Sequence, residues 1–543
     1  MTKKTKKVKL TAGFILIGIL AITWVGSRLW AKRTDPYASL EVFFQVLQIT
    51  RTHYVRDVDL NDMLENAMNA MLQKLDPYSM YMNPKSYKDL YISMEGEFGG
   101  LGVQIGITDG WLTVISPMEG TPAAAMGLQS GDYIVKIEDE STEGITIEEA
   151  VSKLRGEPGT NVTITIARRG MDKPFDVTIT RDIIKLNAVS YASKLTPEIG
   201  YINFIKFSRT ARQEVEQAID SLFTHEGVKK IILDIRRNSG GYLYEGVEVS
   251  DLFLSPNKEV VQTRGRNPQS FKVYRTHEDK FIGDYPLVVL TDRGSASAAE
   301  ILAGALQDWE RCIIIGDTTF GKGCVQTVYP LPDSARLKLT SAYWYTPSGR
   351  CIDKYRTTLK DDEGNKKDEQ LTFNTLGPRA RPLYGGGAIV PDVYIPYEKM
   401  DTLVTRFRIN RVFFTYAADY IAKHPNITRD FTVTDEMLNG LKELARKQNP
   451  KSDANTSNKK KAKSKNAPKI VAKGHHVNFT DEEFQKSKKG LATQLKLEIA
   501  MQKWGRGDYY YNLIFAEDPM LKKAKEILSK VEKTSGLFRF TDK

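Results

Sequence analysis

The sequence predicts a multidomain α/β protein, and three observations carry that expectation. Residues 185–400 alternate short apolar runs with helix-period segments, the pattern of helices layered on a sheet. Residues 96–184 form a compact block of short strands punctuated by glycine, and helical, charged segments flank these regions at 37–94 and 401–543. With 543 residues, of which 41% are hydrophobic, the chain has material for about three or four domains at roughly 150 residues each. That composition excludes a chain disordered throughout and a multispanning membrane protein.

Taken in order, residues 1–33 carry eight basic residues and no acid, and 10–27 is an uncharged run behind five lysines. A run of this length just crosses a bilayer as a helix, and its basic flank keeps the start in the cytoplasm. Val25-Gly26-Ser27 is followed by Arg28 and Leu29, a weak cleavage signal. An uncleaved signal anchor is therefore expected ahead of a cleaved signal peptide. Either one places everything after residue 33 outside the cytoplasm.

In the helical segment 34–95, Leu40, Phe43, Phe44 and Leu47 recur at helix spacing, as do Met63, Leu64, Ala67, Met68, Met71, Leu72 and Leu75, until Asp76-Pro77 stops the pattern. The methionines read as ordinary packing. Within 96–184, strands are expected at 112–115, 133–137, 162–167 and 175–179, with short helices near 123–126 and 147–154. Within 185–400, helices are expected at 215–223 and 298–307. Strands are expected at 231–235, 287–290, 312–315, 325–329 and 337–344. In 401–543, the segment 447–473 holds nine lysines and one acid and reads as a flexible linker; a final helix is expected at 519–530.

The formal net charge is +11, yet it is concentrated in 1–33 and 447–473, so the folded body is slightly acidic. No nucleic-acid partner is expected on that distribution. Cys312, Cys324 and Cys351 lie at no metal-ligand spacing and are too few for a disulfide framework. No HExxH, Walker loop, CxxC or GxGxxG motif is visible. The pair His475-His476 sits beside the lysine segment and reads as solvated loop. No cofactor and no metal are expected.

Two segments carry unusual residues. Gly294-Ser295-Ala296-Ser297-Ala298-Ala299-Glu300 follows a buried strand and opens a helix. Such a turn leaves helix N-terminal N–H groups unpaired beside an exposed serine, although either serine could simply cap the helix. Phe320-Gly321-Lys322-Gly323-Cys324-Val325-Gln326 holds a lysine between two glycines, either a plain hairpin or a tight turn that aims the amine inward. Together they suggest a Ser–Lys pair, in which a neutral lysine takes the serine proton. An ordinary lysine has only about one neutral molecule in 2,500 at pH 7, so burial that tunes it to roughly 7–8 would matter. A third segment, Asp234-Ile235-Arg236-Arg237-Asn238-Ser239-Gly240-Gly241, ends another buried strand, and its glycines allow backbone N–H groups near a substrate carbonyl.

These motifs resemble the C-terminal processing peptidases, also called tail-specific proteases, over most of 37–400. Leu75-Asp76-Pro77-Tyr78-Ser79 is similar to their helical lead-in, and Gly99-Gly100-Leu101-Gly102-Val103 to the start of their PDZ domain. Asp234–Gly241 is similar to their glycine motif, with Ser239 where proline is usual. The Ser295/Ser297 run and Thr319-Phe320-Gly321-Lys322 are similar to their nucleophile and lysine motifs. Thr346-Pro347-Ser348-Gly349-Arg350 and Ile389-Val390-Pro391-Asp392 are similar to their closing signatures.

The resemblance implies Ser297 as nucleophile, Lys322 as base and Gln326 as its positioning residue. It also implies oxyanion donors at the backbone of Ala298, Gly240 and Gly241, and a peptide-carboxylate turn at Leu101, Gly102 and Val103. Cys324 stands where Ser or Thr is more usual. The implied architecture is a tail and anchor (1–33), a helical region (34–95), a PDZ domain (96–184), a crotonase-like protease core (185–400) and a helical extension (401–543). The implied activity is a membrane-anchored serine endopeptidase acting on protein substrates with free or unstructured C-terminal tails. Its place is extracytoplasmic, and periplasmic in a two-membrane bacterium. An inert PDZ scaffold binding protein C-termini, or an acyl transferase on the same pair, are the rivals, and a homo-oligomer or an adaptor protein are further partners that the extension could serve.

Overall fold

The structure is a computed structural model that describes residues 36–277, 283–355, 372–397, 399–447 and 477–541. The run 10–27, residues 448–473 of the lysine segment and His475-His476 lie outside the described residues. Among the described residues no helix is long and apolar enough to cross a membrane.

The chain divides into two units. The smaller comprises Met1–Asn83 and Val328–Leu339. Here α1 (Pro36–His53) and α2 (Leu60–Leu72) form as their periodicity predicts. Asp59 starts α2 by accepting from the N–H groups of Asn61 and Asp62. The helix stops at Leu72, ahead of Asp76-Pro77. Asp76 instead organises the following turn, accepting from the Tyr78 and Ser79 N–H groups, each at 2.7 Å, and from the Ser79 hydroxyl at 2.8 Å. That turn delivers Met80–Met82 as a strand pairing with 336–338, inside a region expected to be helical throughout. The apolar stripe of α1 is exposed, Phe44 by 64%, and does not form the packed face its spacing predicts.

The larger unit holds everything else. Helix α3 (Pro84–Glu95) leads into β1 (Glu97–Gly100). The strand-rich block is an antiparallel sheet in the order β2 (Val103–Thr108), β3 (Trp111–Pro117), β4 (Tyr133–Ile137), β5 (Asn161–Ala167) and β6 (Phe175–Thr180), with β2 at one edge and the short strand Glu140–Ser141 paired to β4. Helix α4 (Ile147–Leu154) begins at a capping box made by Thr146 and Glu149. It lays Ala150 and Leu154 into one apolar core with Leu112, Ile134 and Ile164. On leaving the block, β7 (Asp182–Lys185) pairs antiparallel with β1, so entry and exit form one two-stranded ribbon.

The second sheet runs in the order β8 (Val189–Thr196), β9 (Ile199–Phe204), β10 (Lys230–Asp234), β11 (Leu287–Thr291), β12 (Ile313–Gly316) and β13 (Val393–Tyr394). Only β8 is antiparallel to its neighbour. Strands β10, β11 and β12 are buried at every position, which is why they read as unbroken apolar runs: a parallel sheet is covered on both faces. One face carries α5 (Ala211–Thr224), α6 (Leu243–Asp251) and α7 (Ala298–Asp308) through a core that includes Val215, Val247, Leu302 and Leu306.

After the sheet come α8 (Thr402–Ile409), α9 (Val412–Lys423), α10 (Asp435–Arg446) and α11 (Asp481–Trp504), which share their own core around Phe407, Leu441 and Leu491. The chain then returns to the sheet. Helices α12 (Asp508–Glu517) and α13 (Pro519–Ser529) cover its second face with Tyr511, Phe515, Leu521 and Ile527 against Ile232, Leu290 and Ile315.

One carboxyl in this packing is poorly served. Glu245, in the first turn of α6, has a buried Oε2 that meets no hydrogen-bond partner among the described residues. Burial pushes its pKa up to about 7. The folded protein therefore holds a proton between about pH 4.5 and 7 that the unfolded chain has released, so stability falls as pH rises through that window. Glu245→Gln should raise the melting midpoint by a few degrees at pH 8, with the gain shrinking toward pH 4.5. Equal midpoints for the two proteins at pH 8 would contradict it.

Candidate active site

Three loops leave the carboxyl ends of adjacent parallel strands: 235–241 after β10, 292–297 after β11 and 317–323 after β12. Ligand sites in parallel sheets gather at such ends. The topology thereby brings together three motifs that are scattered in sequence.

The two serines of the second loop differ sharply. Ser295 is fully buried, and its hydroxyl donates to the Ile235 carbonyl at 2.8 Å while accepting from the Asp292 N–H at 3.1 Å. It stitches two loops together and has no exposed face. Ser297 is partly exposed and sits at φ +58°, ψ −117° as the N-cap of α7. A non-glycine residue held at positive φ costs roughly 1–3 kcal/mol and persists only where its surroundings enforce it. Here the Ser297 N–H is held by the Glu300 carboxylate at 2.8 Å.

Gly240 lies against this turn. A Cβ built on it would stand 2.6 Å from the Ala296 carbonyl oxygen, 2.8 Å from the Ser297 Cβ and 2.9 Å from the Ala298 nitrogen. Only glycine leaves that space open. The Gly240 N–H, however, is donated to the Asn238 Oδ1 at 2.9 Å, which removes it from the expected set of oxyanion donors. Asn238 is itself fixed by donating to the Phe204 carbonyl at 3.0 Å. Among the described residues the N–H groups of Ala298 and Gly241 meet no acceptor; as the first helical residue, Ala298 has none within α7.

The lysine loop is as tightly built as its glycines suggest. A Cβ on Gly321, at φ +81°, would fall 1.8 Å from the Gly387 carbonyl oxygen, and one on Gly323 would fall 2.5 Å from the Asp353 nitrogen. The Gly323 N–H is donated to the Asp353 carboxylate at 3.0 Å, and the Lys322 carbonyl accepts from the Trp344 indole at 3.2 Å. The Lys322 Nζ donates to the Gln326 Oε1 at 3.4 Å, while the buried Gln326 Nε2 meets no partner among the described residues. Cys324 is buried.

The residue that joins the two loops is Glu300, one turn into α7 and fully buried. Its Oε2 accepts from the Ser297 N–H at 2.8 Å and from the Lys322 N–H at 2.9 Å. Its Oε1 accepts from the Gly321 N–H at 2.7 Å and the Thr319 hydroxyl at 2.6 Å. Burial is the largest effect and holds its pKa above the ordinary carboxylate value, with these four donors pulling the other way. Sequence reading placed Glu300 inside a motif without giving it a role, although Ser-x-x-Glu at a helix start is itself a capping signal. Thr319 then accepts from the Ile389 N–H at 2.8 Å, which ties the segment 389–392 to the same junction.

Outer partners fix the loops further. Asp234 accepts from the Tyr201 hydroxyl at 2.8 Å and pairs with Arg236, which reaches Asp518 at the start of α13 at 2.7 Å. Arg350 and Asp308 form a buried pair at 2.5 Å, fastening 346–350 to the end of α7.

In the strand-rich block, Leu101 is buried and Gly102 takes φ +72°, with Thr121 packed where a Cβ would go. Their carbonyls are occupied: Ala123 donates to Leu101, and the Met118 N–H and Thr121 hydroxyl donate to Gly102. Their N–H groups meet no acceptor among the described residues. Val103 opens the edge strand β2 beside them. Consecutive free N–H groups at such a turn form an anion-accepting concavity.

Residues 198–362 match peptidase family S41, and residues 113–168 match a PDZ domain. Residues 28–86 match the N-terminal domain of the activating protease CtpB, and residues 403–528 match the C-terminal helical domain described for probable PDZ-proteases. A carboxy-terminal-processing protease of Bartonella bacilliformis is 42% identical over 321 residues, 59% of this chain and 73% of that one. The carboxy-terminal processing protease CtpB of Bacillus subtilis is 36% identical over 310 residues, 56% of this chain and 64% of that one. A solved structure named as a photosystem II D1 C-terminal processing protease is 25% identical and covers 68% of this chain and 89% of its own, with a TM-score of 0.36.

Glu300→Gln keeps the shape of the junction but sets an amide NH2 against two donors whichever way it turns. We expect a loss of about 3 kcal/mol of stability, read as a lowered urea midpoint. Thr319→Val, which removes one of the four donors, should cost less. A Glu300→Gln midpoint equal to wild type would show that the junction is not held by the carboxylate.

Proposed function

The chain belongs to the carboxy-terminal processing proteases of family S41 and carries a PDZ domain, and on that premise we propose that it cleaves protein substrates by acylation of Ser297 with Lys322 as the base. The observation that carries this reading is the shared Glu300 oxygen, which binds the Ser297 and Lys322 backbones at once.

In the proposed reaction a substrate carbonyl enters the space kept open by Gly240. The Ser297 hydroxyl attacks its carbon while the Lys322 amine takes the proton. The N–H groups of Ala298 and Gly241 receive the developing oxyanion. Lys322 then gives its proton to the leaving amine, and water, activated by the same amine, releases the acyl group and restores the serine. Gln326, whose Oε1 meets the Lys322 Nζ, orients that amine. Ser297 is preferred to Ser295 because the Ser295 hydroxyl is buried and already committed to backbone.

Substrate tails are proposed to dock with the terminal carboxylate on the Leu101–Gly102 turn and the peptide alongside β2, extending the sheet from its edge. The run 10–27 is proposed to anchor the chain with its catalytic region outside the cytoplasm. An inert scaffold would have no use for the open space at Gly240 beside a strained serine.

Ser297→Ala and Lys322→Ala should each lower cleavage of a denatured casein by about three orders of magnitude or more, and a serine-directed fluorophosphonate probe should label the wild-type chain at Ser297. Full cleavage by either purified variant would sink the dyad assignment. Gly240→Ala should abolish turnover while leaving tail binding intact. Deleting residues 1–33 should move the protein from the membrane fraction to the soluble fraction, and a truncated protein that stays with membranes would refute the anchor.

A further inference from the structure

The edge strand β2 presents two faces. Val103, Ile105 and Ile107 pack toward the PDZ core. Gly106 and Thr108 face the other way and are buried, although the PDZ core lies elsewhere. What covers them comes from about 300 residues further along the chain. The Arg411 guanidinium lies over Gly106, where a Cβ would stand 2.6 Å from its Nη1, and the same nitrogen donates to the Thr108 hydroxyl at 3.1 Å. Arg411 occupies the turn between α8 and α9 at φ +54°.

A second contact lies about two helix turns along. Asp419 of α9 pairs with Arg169 at 2.6 Å, and Arg169 in turn donates to the Tyr133 hydroxyl at 2.8 Å. Gly131 makes room for this approach, since a Cβ there would stand 2.9 Å from the Ala418 Cβ. Tyr133 belongs to a small apolar patch on this outer face, with Trp111, Val135 and Ala167. Beside these contacts lies a polar cavity of about 520 Å³, lined by Arg168 and Asp132 on one side and Met501 and Lys503 on the other. Among the described residues no apolar cluster contains members of both the PDZ domain and α8–α11. The two are joined by one ion pair, an arginine–hydroxyl hydrogen bond and close glycine contacts, the composition of an interface that can open.

We propose that the C-terminal helical region is a releasable brace for the PDZ domain, in which Arg411 and Asp419 act as positioning residues for the strand that receives the substrate tail. With the brace engaged, β2 is held from behind, so a tail adding to its open edge does not have to order it. The affinity for tails is then set partly by the helical region, and anything that draws Arg411 away weakens tail capture without touching the peptide groove or the serine. This inference rests on the proposed docking of tails along β2.

The test uses the full-length chain carrying Ser297→Ala, with Arg411→Gly or Asp419→Asn added. Glycine suits the left-handed backbone at 411, and Asn is nearly isosteric with Asp, so both should leave α9 and α11 folded. Hydrogen exchange over 103–108 should quicken in both variants while exchange over 412–423 and 491–499 stays unchanged. Binding of a fluorescein-labelled octapeptide ending in three valines should weaken about tenfold, with the same peptide carrying a C-terminal amide as control. If the parent protein prefers the free acid to the amide, yet both variants match it in exchange and affinity, the brace is wrong and the tail reading stands. If the parent binds acid and amide alike, the tail reading fails and the brace falls with it.

Discussion

A single buried carboxylate holds the catalytic half of this protein in register. Glu300 has no access to water, and an ion so placed costs several kcal/mol unless its lone pairs are filled. Here they are filled by four donors drawn from two loops. The fold cannot leave the carboxylate unsatisfied, so it cannot let the serine turn and the lysine loop drift apart. The strained φ of Ser297 is enforced by the same contact, since one of the four donors is that residue's own N–H. Glycines meet crowding from other segments as well: a Cβ on Gly240 would strike the serine turn, and Cβ atoms on Gly321 and Gly323 would strike Gly387 and Asp353.

Much of this was legible in the chain. Helix α4 and strand β4 appear with the boundaries that their patterns predict. The apolar runs of β10, β11 and β12 were readable because a sheet covered on both faces leaves no alternation to misread. The hairpin of β8 and β9 was not, because Ser190, Ser193 and Lys194 interrupt its apolar residues on an exposed edge. Helix α6 was hidden behind a Gly-Gly pair that reads as a turn, which it also is. The short strand Met80–Met82 escaped because it depends on a partner more than 250 residues away.

The site divides in the same way. Residue types and spacing singled out Ser295, Ser297 and Lys322, but only packing separates the two serines, since the donors and acceptors that bury Ser295 belong to other loops. The Gly-Gly pair was readable as a backbone approach. That Gly240 turns its N–H to Asn238 while Gly241 does not depends on φ and ψ values that the letters do not carry. The brace at Arg411 left no trace in the sequence at all: an arginine in a helical, charged segment resembles its neighbours until the fold sets it over a glycine of another domain.

The second face of the parallel sheet is covered by α12 and α13, and Asp518 at the head of α13 reaches back to Arg236 beside the glycine turn. The sheet under the proposed serine and lysine loops is thus closed by a segment that lies more than 180 residues beyond Lys322 in the chain. A break in α12 or α13 would uncover Ile232, Leu290 and Ile315 and so act on those loops from the far side of the sheet, with no residue of the loops themselves altered.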